Sequence, residues 1–229
     1  HSGLAFERGP RPRTVTLTLT YPHWRAGTLP LTPMLRRMFP TAHTAPRIHF
    51  VLVDQHSGEE VPAWVVRKSG YVYGLADWLS RHDLPVGCYL TVERTSESGR
   101  VLLSYQPRNP RTEWVLTASV VNNQLHFENK TRAIGAAYDD LAVIHTDDVA
   151  AIDGLWKYYR DRKTPLVDIL IQIMRALAPL NPQGHVHAKT LYSVVNMVMR
   201  CPPGPIFALL GSTGAFTYVG GPYWRPAER

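Results

Sequence analysis

Polar and apolar residues alternate along Thr14-Val-Thr-Leu-Thr-Leu-Thr-Tyr21, and the residue types favour extended backbone. That is the period of a half-buried strand. An apolar strand follows from Ile48 to Val53, closing on Asp54 and Gly58, and shorter strands are predicted at Tyr71-Val-Tyr73 and from Cys88 to Glu93. Gly74-Leu75 opens a helix that runs through Trp78 to His82. Ser96-Glu-Ser-Gly99 reads as a turn and Arg100 to Tyr105 as a returning strand, after which Pro107, Asn109 and Pro110 mark a boundary. Beyond it, Trp114 to Val121 and Leu125 to Glu128 flank Asn122-Asn-Gln124, a hairpin turn by composition. Leu141 to His145 offers a third strand there. The pattern leaves open whether residues 111–146 complete the preceding sheet or form a small one of their own.

From Asp147 the period becomes helical. Asp147 and Asp148 stand where a helix N-terminus favours acids, and Val149, Ile152, Leu155, Trp156 and Tyr159 recur at helical spacing. Thr164-Pro165 is a second helix start, for a helix carrying Leu166, Ile169, Leu170, Ile173 and Leu177 and stopping near Pro179. A third helix is predicted from His187 to Arg200, a short one from Ile206 to Leu210, and a hairpin over Ala215–Val219 and Tyr223–Arg225. Trp64, Trp78, Trp114 and Trp156 fall at apolar phases of their elements and are expected in the core.

The order of strand, turn and short helix between Gly27 and Val92 carries a resemblance. Its landmarks are Met34-Leu-Arg-Arg-Met-Phe39-Pro40, the strand closing on Asp54 and Gly58, Trp64 followed by Arg67-Lys68, Gly74-Leu75, Leu84 and Gly87. Together they resemble the DNA-binding pseudobarrel of plant auxin-response and abscisic-acid-response transcription factors, a fold shared by restriction-endonuclease effector domains. Cys88 departs from the pattern, since many members carry an acid after that glycine. The run from Thr164-Pro165-Leu166 through Phe207, Leu210, Phe216, Val219, Gly221 and Tyr223 is similar to the HARE-type winged helix-turn-helix.

The two resemblances imply an α+β chain. An open β-pseudobarrel with short helices would span residues 14–110, a small β extension 111–146 and a C-terminal winged helix-turn-helix 147–229, preceded by a flexible basic arm at 1–13 with Pro10 and Pro12. In the pseudobarrel family two loops embrace the major groove of double-stranded DNA. Carried onto this chain, they are Pro22-His-Trp-Arg-Ala26 and Val66-Arg-Lys-Ser-Gly70. The resemblance therefore makes His23, Trp24, Arg25, Arg67, Lys68 and Ser69 DNA-binding residues. Arg25, Arg67 and Lys68 suit phosphate or guanine, His23 and Ser69 backbone oxygens, and Trp24 sugar or a thymine methyl. Arg13, Lys189, Arg200 and Arg225 are expected as secondary contacts to DNA or to a partner protein. The inferred recognition helix, Pro205 to Ser212, has no charged side chain, so the winged helix is expected to be accessory.

Composition agrees without deciding. The chain has 229 residues, a formal net charge of +7 and a pI of about 9.6, which fits a polyanion partner. Arginine outnumbers lysine twenty to five; planar recognition of phosphate favours that bias, and a GC-rich genome produces it too. Two distant cysteines, Cys88 and Cys201, give neither a disulfide framework nor a cysteine zinc site, and no secretory leader or membrane span is visible, so a cytoplasmic setting is expected; that it is bacterial follows from the fold analogy alone. The opening His1 reads as a tag remnant or the edge of a longer protein, which could carry a catalytic domain elsewhere.

No enzyme, metal or cofactor is expected. Glu128-Asn-Lys130 has the Glu-x-Lys form of restriction nucleases, but a second carboxylate is needed on a neighbouring strand, and Asp139 and Asp140 come after it. His185-x-His187 lacks a third ligand and reads as a polar turn. Gly211-Ser-Thr-Gly214 lacks the strand and lysine of a phosphate loop. The sequence thus points to non-enzymatic binding of double-stranded DNA in transcription regulation, restriction or genome maintenance. The rival readings are a protein-interaction scaffold and the specificity part of a nuclease.

Overall fold

A computed structural model describes residues 13–40 and 45–228; residues 1–12 of the expected basic arm lie outside the described residues. The chain is mixed α+β, and its N-terminal half curls into an open half-barrel sheet. In chain order that half contains β1 (Thr14–Thr18), α1 (Tyr21–Ala26), β2 (Thr28–Pro30), β3 (Arg47–Asp54), β4 (Glu60–Val66), β5 (Tyr71–Tyr73), α2 (Ala76–Arg81), β6 (Tyr89–Arg94) and β7 (Arg100–Tyr105). The sheet order is β1-β6-β7-β3-β4-β5-β2, antiparallel except where β3 runs parallel to β7. Its inner face is closed by Leu29, Leu52, Leu75, Trp78, Leu90 and Leu103, all fully buried. Each such side chain contributes about 1.5–3 kcal/mol on leaving water.

β8 (Pro107–Val121) and β9 (Gln124–Ala136) form a long hairpin, and β10 (His145–Thr146) pairs parallel to β8. The hairpin turn is Asn122-Asn123, both residues at positive φ (51° and 57°), which suits the twist of antiparallel strands. The remainder is α3 (Val149–Asp161), α4 (Leu166–Leu177), β11 (Val186–His187), α5 (Ala188–Val198), α6 (Pro203–Ser212), β12 (Phe216–Gly220) and β13 (Tyr223–Pro226). The last three strands form a sheet in the order β11-β13-β12, and the axes of α5 and α6 differ by 119°. Their shared core is built on Ile152, Leu155, Ile169, Leu170, Val194 and Ile206. No single helix among the described residues is long and apolar enough to cross a membrane.

Helix α1 sits where the two cores meet. Tyr21 is buried in the helical core, and Trp24 packs against both that core and the barrel's. The predicted β1 strand stops at Thr18, and what reads as a loop over Pro22–Ala26 is this helix. Thr20 enters it extended, Pro22 is tolerated in the first turn, and Gly27 ends it in the left-handed region at φ 65°. Six residues are too few for helical periodicity to show. Gly27 is also obligatory on space: a Cβ there would stand 2.5 Å from the backbone nitrogen of Ala76, at the start of α2.

Other boundaries also move. The break expected at Pro107–Pro110 is the start of β8, tolerated because the ladder to β9 is irregular between Pro107 and Arg111. The strand at Leu141–His145 shrinks to β10, and α6 begins two residues before Pro205. Trp78 is in the core as expected, but Trp114 is 73% exposed, because Val115 holds the inward phase of β8. Both cysteines are buried free thiols, and burial pushes Cys88 up to about 12.

Candidate nucleic-acid interface

On the outer face of the barrel sheet, pairing aligns His49 with Trp64 and Trp64 with Tyr73 across β3, β4 and β5. The His49 and Trp64 rings are 6.3 Å apart, and Trp64 stacks on Tyr73 at 5.9 Å with 10° between planes. Tyr71, two residues back on the same face, lies 6.4 Å from Tyr73. The four-residue turn between β4 and β5 overhangs this row. Arg67, Lys68 and Ser69 are all exposed there; Ser69 Oγ donates to the Val66 carbonyl at 3.2 Å, and Tyr73 Oη to Ser69 Oγ at 3.4 Å. An open cleft lined by Arg47, Trp64, Val66, Lys68, Ser69 and Tyr73 results.

A second cleft lies between α1, α3 and the end of α5. Arg25, Lys157, Arg160 and Arg200 line it together with Trp156 and Asp153. Arg25 binds Asp153 through two nitrogens, at 2.7 and 3.3 Å, which ties α1 to α3. Tyr71 connects residues of the two clefts: the Arg200 guanidinium, from the second, lies 4.4 Å from the centre of its ring, and Tyr73, from the first, lies 6.4 Å away. His23 stands against the same ring edge-on at 5.1 Å.

The expected DNA-binding residues therefore divide. Arg67, Lys68 and Ser69 project from the exposed turn, and Arg25 is exposed but paired. His23 is turned inward, 9% exposed, with Nδ1 2.7 Å from the Thr28 hydroxyl. Burial, with Arg200 nearby, lowers its pKa to about 4, so it is neutral near pH 7. The Trp24 indole nitrogen donates to the Leu84 carbonyl at 2.9 Å and belongs to the seam between the cores. Of the secondary residues, Arg200 lines the second cleft, whereas Arg13 pairs with Glu93, Lys189 with Asp139 and Arg225 with Glu228.

Comparison with protein-family models, curated proteins and solved structures finds no match.

The nuclease-like element has a definite geometry. Lys130 Nζ reaches Glu128 at 3.2 Å and Asp147 at 3.1 Å, so a second carboxylate does approach. Asp147 also accepts from Arg132 at 2.8 Å and His145 at 3.0 Å, and these partners, Lys130 first, hold its pKa down to about 2. Lys130 stands between the two carboxylates, and no group of three or more metal-ligating side chains occurs among the described residues. His187 is spoken for as well: its Nδ1 accepts from the Lys189 amide and caps α5.

Sequence reasoning missed His49, Trp64, Tyr71, Tyr73, Lys157 and Arg160, although two signals were there. In β4 the buried residues are Val61, Ala63 and Val65, so Trp64 shares its phase with Glu60 and Pro62 and must face outward. Asp153, Lys157 and Arg160 are spaced i, i+4, i+7 and lie along one side of α3.

Proposed function

We propose that this chain binds double-stranded DNA, without cutting it, along the face that runs from the β4–β5 turn to the cleft between α1 and α3. The observation that carries the reading is the Arg200–Tyr71–Tyr73 chain of contacts, which links a residue of each basic cleft. Arg47, Lys68, Arg25, Lys157, Arg160 and Arg200 line those clefts, against a single lining carboxylate, Asp153, which Arg25 already neutralises. Phosphate contacts of this kind supply most of the affinity for a duplex and fix the protein's orientation on it. Of the two loops that the pseudobarrel resemblance implies, the β4–β5 turn is the exposed one, whereas α1 supplies Arg25 and acts mainly as a brace.

The helical part supports reading it as an accessory winged helix. The chain order α4-β11-α5-α6-β12-β13 and the sheet order β11-β13-β12 are what that motif requires. Helix α6 offers Phe207, 49% exposed, and no charge or amide for base edges. It suits a protein partner better than a groove. A setting in transcription regulation, restriction or genome maintenance follows from fold analogy alone.

Charge reversal tests the reading. Lys68→Glu with Arg200→Glu removes a cation from each cleft and should weaken duplex binding at least about tenfold. Arg13→Glu, one residue before β1 and so at the far end of the strand order, should leave it within about twofold. A loss from Arg13→Glu about half as large, on a log scale, as that from the double change would show that only overall charge matters.

A further inference from the structure

Positive charge alone does not account for the chemistry of the cleft at the β4–β5 turn. Phosphate binding does not call for rings stacked on one another, yet three strands bring His49, Trp64 and Tyr73 into one cross-strand row. These rings stand on the face away from the barrel core, with Trp64 and Tyr73 only half-buried and His49 exposed. The near-parallel Trp64 and Tyr73 rings stack on each other, and both line the cleft. Lys68 and Arg47 stand at its rim, the Ser69 hydroxyl adjoins, and no carboxylate is among its lining residues. At about 570 Å³ the cleft is open to solvent and has room for a planar heterocycle.

A surface combining stacked aromatics with flanking cations is complementary to an unstacked nucleobase and its phosphates. A base held in a perfect duplex cannot reach it, because both of its faces are already covered by neighbouring pairs. We infer that the cleft beside Trp64 and Tyr73 takes a single unpaired base of bound DNA, stacked against the aromatic pair with its flanking phosphates on Lys68 and Arg47. This rests on the duplex-binding reading, since that surface would hold the DNA from which the base comes. It adds a preference for bulged, mismatched or single-stranded positions, and a tolerance of base identity, because every base has a π-face.

The experiment compares two fluorescein-labelled duplexes, one fully matched and one carrying a single extra thymine, by anisotropy at one salt concentration. The chain should bind the bulged duplex about tenfold more tightly. Trp64→Leu fills the sheet face without a π-system and should abolish that preference, bringing the ratio of bulged to matched affinity to about one. Trp64→Phe should retain most of the preference. Equal affinity of the native chain for both duplexes, or a Trp64→Leu variant that weakens both alike, overturns the inference and leaves the duplex reading in place. No binding of the native chain to either duplex overturns both. Tyr73→Leu offers an independent second variant should Trp64→Leu not fold, and it should also erase the preference.

Discussion

The guanidinium of Arg200 lies over the ring of Tyr71, 4.4 Å from its centroid, and so joins the segment after α5 to the first residue of β5. One side of the ring meets His23 and the next aromatic along the strand is Tyr73. Arg200→Ala should lower duplex affinity and reduce the slope of log K against log salt by about 1. Its effect on stability should stay within about 1 kcal/mol, the size of an exposed cation–π contact. Arg200→Lys should keep the salt slope but stack less well. A salt titration by anisotropy, with a thermal melt alongside, checks both parts; an unaltered slope in Arg200→Ala would remove the residue from the interface.

Asp153 should act against binding. It lines the cleft with Arg25, Lys157, Arg160 and Arg200, and its ion pair with Arg25 is about half exposed. Asp153→Asn should cost less than about 1 kcal/mol of stability. It should tighten duplex binding at low salt and steepen the salt slope by about 1, since Arg25 becomes available for phosphate. Weaker binding in this variant would mean that the α1–α3 brace matters more than the charge.

His23 gives the fold a pH dependence of definite sign. Its pKa is lowered from 6.5 to about 4, by burial first and by Arg200 second, so the unfolded chain binds a proton that the folded chain refuses. Its contribution is complete above pH 6.5 and is lost as pH falls towards 4. Between pH 6.5 and 5 that amounts to roughly 2 kcal/mol. Urea unfolding at those two pH values should show the loss, and His23→Gln should flatten the difference. A histidine ring that titrates at its ordinary value by NMR would contradict the inward placement.

The barrel core depends on one buried acid. Asp54 is 1% exposed and accepts from the Trp78 indole at 2.8 Å and from the His56 and Ser57 amides at 2.8 and 3.2 Å. Burial alone would raise its pKa, but these donors and nearby His82 hold it below its ordinary 3.8. The stability it adds is present above that value and is lost as pH falls through the folded-state pKa. Asp54→Ala leaves the indole without an acceptor and should cost about 2–4 kcal/mol in a denaturant titration. A cost under about 0.5 kcal/mol would show that the network is dispensable.

The legible parts of the fold were those with a period or a specific turn chemistry. The β3 run, the Asn122-Asn123 turn and the three helices from Val149 to Val198 each repeat a pattern over enough residues to be read. What escaped was short or set by tertiary packing. Helix α1 has six residues, β2 three, and β10 and β11 two each, and β10 and β11 exist because a neighbouring strand reaches them. For the interface, the β4–β5 turn could be proposed from Arg67-Lys68 by resemblance. Arg200 and Tyr71, far apart in sequence, could not be paired before the helical part was docked onto α1.

The central claim is that DNA binds through many phosphate contacts on one basic face, and the salt dependence of duplex binding tests it most directly. Anisotropy of a labelled random duplex, titrated with the native chain at several salt concentrations from about 50 to 200 mM, should give a straight line of log K against log salt. With about six phosphates neutralised its slope should be roughly −5. A flat line, or no duplex binding at about 50 mM salt, would contradict the account.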